Sequence, residues 1–139
     1  MRALIDTCII IDALQEREPF AMDAKNIFIS AANNIFIGYI TAKAATDIYY
    51  LMHRYTHSDK TSRETLNKLF TIFNLLDTSG IDCQNAILST ISDFEDAVMA
   101  ETAIRSKVDC IITRNTRDFS NANIPIYSPK EFSGLIISE

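Results

Sequence analysis

The feature that most constrains this chain is a set of short apolar runs set between longer segments of helical character. RALID (2–6), IFIGYIT (35–41), DCIIT (109–113) and IPIYS (124–128) read as strands. Between them, TCIIIDALQ reads as a turn and helix, followed by AMDAKNIFISAANN (21–34) and AKAATDIYYLMHRY (42–55), where Ile48, Leu51, Met52 and Tyr55 form one stripe. SDKTSRETLNKLFTIFNLLD (58–77) begins with cap-type residues and carries Leu66, Leu69, Phe70 and Phe73 on one face. DCQNAILSTI (82–91), DFEDAVMAETAIRSK (93–107) and PKEFSGLI (129–136) complete the helices, the last with Pro at its first turn. Ala97, Ala100 and Ile104 share a face of the 93–107 helix. Short apolar strands alternating with helices imply α/β architecture, with a parallel four- to five-stranded sheet sandwiched by helices. The 139 residues suit a single domain over 1–139.

Several function classes are excluded at once. Gly38, Gly80 and Gly134 are the only glycines, too few for a phosphate-cradling loop or a dinucleotide fingerprint. Cys8, Cys83 and Cys110 are scattered and odd in number, which suits buried thiols in a reducing cytoplasm better than a disulfide framework or zinc site. The apolar N-terminus is interrupted by Asp6 and Asp12 and reads as a first strand and helix, not a signal peptide. No run reaches the roughly 18 apolar residues of a membrane helix. A net charge of −5 argues against binding nucleic acid by bulk attraction, though not against a local basic strip or bound cations.

The acids fall in a pattern. Asp6 closes the first strand, Asp47 sits one turn into the helix after the second, and Asp93 and Asp96 share a face at a helix start. Asn115 and Asp118 follow the 109–113 strand, in the polar cluster that ends IITRNTRDF (111–119). Strands must end somewhere, and Asn, Asp and Thr make turns. But the carboxyl ends of parallel strands are also where sites are built. Carboxylates converging there repel unless a cation joins them, and hard oxygen donors without Cys or His suit Mg²⁺ or Mn²⁺. Helix capping accounts for Asp93 well and for Asp96 less well. It does not account for Asp6, an acid ending a strongly apolar strand. Asp12 reads as a surface or helix-packing residue.

Four segments together resemble the PIN domain, a nuclease fold found in many toxins of bacterial toxin–antitoxin pairs. LIDTCIIIDAL (4–14) resembles the opening strand and turn, with Asp6 as first acid and Thr7 beside it. TAKAATDIYYL (41–51) carries Asp47 where the family usually has Glu. DFEDAVMAETA (93–103) carries Asp96, and IITRNTRDF (111–119) resembles the fourth segment. There the family commonly reads Thr-Arg-Asp, whereas this chain reads Thr113-Arg114-Asn115, and Asp118 is the acid available to stand in.

The resemblance implies a PIN-like three-layer α/β/α fold and a Mg²⁺- or Mn²⁺-dependent endoribonuclease leaving a 3′-hydroxyl and a 5′-phosphate. Asp6, Asp47 and Asp96 would hold metal, with Asp118 completing the catalytic acids. Thr7, Thr113, Asn115 and Arg114 would position water, phosphate or substrate backbone, and Arg117 shares the last role. It also implies an antitoxin partner and a homodimer; the apolar GLIIS (134–138) suits a subunit contact and core packing equally. In residues 43–68, Lys43, Arg54, Lys60, Arg63 and Lys68 outnumber Asp47, Asp59 and Glu64, with Tyr49, Tyr50 and Tyr55 among them as potential base-stacking groups. Tyrosines in the core and lysines on a solvated face are the plainer expectation, Lys43 and Arg54 excepted. His53 and His57 have helical ligand spacing but no acid or Cys to complete a zinc set. A receiver domain would need an acidic pair after the first strand, and a haloacid-type phosphatase an Asp where Cys8 stands. The serious alternative is a catalytically weak or inactive PIN-like module that binds RNA or protein, which Asn115 keeps open.

Overall fold

A computed structural model describes residues 1–138. Five strands, β1 (Arg2–Ile5), β2 (Ile37–Thr41), β3 (Asn74–Leu76), β4 (Cys110–Ile112) and β5 (Ile126–Tyr127), form one sheet in the order β3-β2-β1-β4-β5. Every pairing is parallel. The helices are α1 (Thr7–Leu14), α2 (Ala21–Ala32), α3 (Ala42–Thr56), α4 (Asp59–Ile72), α5 (Gly80–Ala86), α6 (Phe94–Arg105) and α7 (Pro129–Ser138).

Strand alternation divides the core in two. Ala3, Ile5, Cys110 and Ile112 face a layer that includes Ile9, Ile27, Ile48, Leu69 and Phe132, from α1 to α4 and α7. Leu4 and Ile111 face Ala97, Ala100 and Ala103 of α6 and Ala86 of α5. Burial on both faces explains why β1 and β4 are apolar throughout, and it gives three layers, α/β/α.

The expected 58–77 helix divides. It stops at Ile72; Phe73 turns extended (φ −116°, ψ 138°), and Asn74–Leu76 pair with Tyr39–Thr41 as the edge strand. Phe73 is buried against Phe28, edge to face at 5.0 Å. It also presses on the backbone of Gly38, where an added Cβ would come within 2.6 Å of its ring. Burying this ring and pairing the three residues after it outweighs another helical turn. Phe70 lies partly exposed rather than on the apolar face. The expected 82–91 helix is likewise shifted, to Gly80–Ala86, and starts with a Ser79/Asp82 capping box.

Candidate functional site

The chain runs outward from β1 through β2 to β3, then returns to β1's other side with β4. The crevice beyond the carboxyl ends of β1 and β4 is therefore the topological switch point of the sheet. Asp6 follows β1 directly and is 8% exposed. It occupies the N-cap position of α1, yet its side chain makes no capping bond. Its Oδ2 instead accepts from Thr113 Oγ1 at 2.7 Å and from the Cys8 thiol at 3.5 Å. Thr113 is fully buried beyond β4, and its Oγ1 also accepts from the Asn115 backbone N–H at 3.1 Å. The ends of the two switch-point strands are thus tied through a neutral hydroxyl, and among the described residues no cation bonds Asp6 directly.

Asp96 enters from the other layer, in the first turn of α6. Asp93 is the cap there, accepting from the Asp96 backbone N–H at 2.9 Å. Among the described residues nothing donates to the Asp96 carboxylate, and it is half-buried. Burial first, then the charges of Asp6, Asp93 and Asp118, push its pKa up to about 6. The field of Asp118, which is exposed in a short 3-10 turn (Thr116–Phe119), therefore reaches the site. The Asn115 side chain is exposed.

Asp47, on α3, bonds Lys43 Nζ at 2.6 Å. Lys43 also bonds Glu95 of α6, so one cation bridges the two helices flanking the crevice. Asp6, Thr7, Asp47 and Asp96 line one cavity of about 600 Å³. Its lining also includes Thr78, Cys83, Phe94 and Met99, none of which carried a sequence signal for this site. Glu95 also lines it and was legible only as part of the acidic DFED run.

The polar cluster after β4 divides its work. Arg114 Nε and Nη2 donate to Asp12 at 2.8 and 3.2 Å, and its guanidinium lies 4.1 Å from the Phe20 ring centre. Asp12 is 1% exposed, a buried ion-pair partner and not a surface acid. Arg114 is thereby committed to holding the loop onto α1 and lines a separate, smaller cavity. Arg117 is exposed. Tyr50 and Tyr55 are 68% and 63% exposed, against the expectation of core tyrosines. His53 stacks on Tyr49, and His57 is the left-handed C-cap of α3.

The donor set tests which cation would fit. Asp6, Asp47, Asp96 and Asp118 offer only carboxylate oxygen, and Asp96 lacks any compensating donor, a chemistry that fits Mg²⁺ or Mn²⁺. Among the described residues, no three His, Cys, Asp or Glu side chains stand together as a ready-formed metal cluster. Cys8, beside Asp6, has its thiol pushed up to about 12, by burial and then by the Asp6 charge, and stays protonated rather than nucleophilic.

A parallel three-layer α/β domain with acids gathered at its switch point is the class that fold and site define. A PIN domain family model matches residues 2–117, and the chain belongs to the PIN domain family. Similar solved structures agree on the fold. The VapBC2 complex of Rickettsia felis, bound to a promoter DNA fragment, has 16% identity and a TM-score of 0.68 and aligns over 92% of this chain and 98% of its own. A toxin–antitoxin complex from Klebsiella pneumoniae has 24% identity and a TM-score of 0.67, over 91% and 97%. FitAcB from Neisseria gonorrhoeae has 17% identity and a TM-score of 0.68, over 92% and 98%. No curated protein matches the chain. Among the described residues no helix is long and apolar enough to cross a membrane.

Proposed function

We propose that this protein is a metal-dependent endoribonuclease, the toxin of a toxin–antitoxin pair. The observation that carries the reading is the two acids at the switch point that bond no cation among the described residues, Asp6 and Asp96, with the Asp96 pKa raised by burial first and then by Asp6, Asp93 and Asp118. Acids kept apart from cations at such a cost are characteristic of functional sites.

Asp6, Asp47 and Asp96 would hold Mg²⁺ or Mn²⁺, with Asp118 as the fourth acid in place of Asn115. A bound divalent ion supplies activation of water and stabilisation of phosphate charge. The chain's own residues do the remainder. Thr113 fixes the Asp6 carboxylate in place. Thr7, on the cavity wall, would orient phosphate or water. Lys43, bonded to Asp47 and Glu95 on the cavity wall, would meet the substrate phosphate. Asn115 would position water through its amide. Arg114 would act at one remove, keeping the loop in register through Asp12.

The toxin–antitoxin complexes among the chain's structural relatives support an antitoxin partner, and a homodimer is proposed with it. Three free cysteines suit a cytoplasmic location. A second reading, a binding module with little activity, is favoured by Asn115 and by Lys43 already neutralising Asp47.

The test is incubation with single-stranded and structured RNA in Mg²⁺, Mn²⁺ or chelator, beside an Asp6→Asn/Asp96→Asn double variant. Cleavage that requires metal and disappears in the variant is the expected result. Cleavage that persists in chelator or in the variant would overturn the assignment.

A further inference from the structure

The cavity at the acid cluster is larger than phosphodiester hydrolysis requires, and its two ends differ. Lys43, Asp47, Tyr50, Leu51 and Arg54 fall along one stripe of α3 and form one wall. Glu95, Asp96, Val98, Met99 and Thr102 of α6 form the other. The acids lie at the strand-end side of this trough. Beyond them the walls turn apolar through Leu51, Val98 and Met99. Two aromatic rings, Tyr50 and Phe94, line it while 68% and 50% exposed, so neither is committed to the core. Arg54 lines the same stretch, about 10 Å along the helix from Asp47 at 1.5 Å per residue.

One polar group here lacks a partner. Thr78 lines the cavity, and its Oγ1 is buried with no hydrogen-bond partner, alone among the buried side-chain polar atoms of the described residues. A buried hydroxyl without a partner is unfavourable and in a native structure asks for an explanation. A trough with an aromatic lip, an apolar lining, one unpartnered hydroxyl and a cation beyond is suited to a flat heteroaromatic ring carried on a phosphate backbone. The volume of about 600 Å³ lies well within the range for such a ligand.

We infer that this trough is a base-recognition subsite: it takes an unstacked nucleobase flanking the scissile phosphate, with Tyr50 stacking on the ring, Thr78 turning its buried hydroxyl into the trough to hydrogen-bond the ring edge, and Arg54 holding the next phosphate. The inference rests on the nuclease reading for the identity of the polymer. It makes the substrate single-stranded or looped, because a base paired in a duplex cannot enter. It also makes Thr78 a determinant of base preference and Tyr50 one of affinity.

The experiment measures binding, not cleavage. Fluorescence anisotropy, in Ca²⁺ as a hard-oxygen cation standing in for Mg²⁺ and in chelator, would follow labelled single-stranded RNA hexamers of each homopolymer, and one duplex, against the wild type, Tyr50→Ala and Thr78→Val. Circular dichroism melting would verify that each variant is folded. The expected result is tighter binding of single strands than of duplex, with a preference among the four bases. Tyr50→Ala should weaken single-strand binding about tenfold or more, and Thr78→Val should flatten the preference among bases. Equal binding of duplex and single strand would overturn the proposal. So would variants within twofold of wild type, or no binding of any RNA, the outcome expected if the trough receives a peptide. The two readings fail separately. Base-selective binding without metal-dependent cleavage would refute the nuclease and leave the subsite, whereas cleavage unaffected by Tyr50→Ala and Thr78→Val would refute the subsite and leave the nuclease.

Discussion

Replacing Asp96 by Asn should stabilise the protein when no divalent cation is present. Burial and three neighbouring acids raise the Asp96 pKa from 3.8 to about 6. An acid whose folded pKa lies above its unfolded value destabilises the fold. The penalty is absent below the unfolded pKa, grows between the two values and is complete above about pH 6. At about 1.4 kcal/mol per tenfold change in proton affinity, its ceiling is about 3 kcal/mol. Solvent screens a half-buried site, and Asn forgoes the favourable interaction of an acid with the start of α6, worth about 0.3–1 kcal/mol. The expected net gain is about 1 kcal/mol, or about 3 °C in Tm for a chain of this size. Thermal unfolding in chelator at pH 7.5 should show that gain, and at pH 4.5 only about a third of it. Adding Mn²⁺ should narrow or reverse the difference, because wild type gains binding energy that the variant lacks. A variant less stable than wild type at pH 7.5 in chelator, or equally stabilised at both pH values, would show that ionised Asp96 carries no such penalty.

Three further outcomes are expected. Lys43→Gln removes the cation bonded to Asp47 and Glu95, an exposed arrangement worth up to about 1 kcal/mol, so Mn²⁺ should bind up to about fivefold tighter by calorimetry. Arg114→Met strands a 1%-exposed Asp12 and should cost about 3–5 kcal/mol in urea unfolding, with Asp12→Leu in the same chain recovering much of it. Gly38→Ala places a methyl 2.6 Å from the Phe73 ring and should cost about 1–3 kcal/mol by the same assay, less in a Phe73→Leu background.

The parallel three-layer fold was legible because β1 and β4 are buried on both faces and their apolar runs advertise it. The edge strand was not. Asn74–Leu76 continue a helical pattern with no Gly or Pro between, and only the seating of Phe73 against Gly38 breaks it. Asp6 was legible as an acid where a strand should end, and the structure brings it into one cavity with Asp47 and Asp96. Arg114 was not, because its partner Asp12 is 102 residues away and no local pattern pairs them. Thr78 and Met99 are ordinary residues that matter only through the wall they share. Tyr55 was misjudged because it continues the apolar stripe of Ile48, Leu51 and Met52 beyond the part of α3 that the core covers, whereas Tyr50 lies on the stripe that faces the trough. Periodicity identifies an apolar face but not what covers it.

The central claim is that the acids at the switch point form a divalent-cation site. Calorimetric titration of Mn²⁺ into metal-free protein tests it most directly, with Asp6→Asn, Asp96→Asn and Asp118→Asn measured alongside. Saturable binding by wild type, weakened at least about tenfold in each variant, is the expected result. No binding by folded wild type, or binding unchanged by Asp6→Asn and Asp96→Asn, would contradict it.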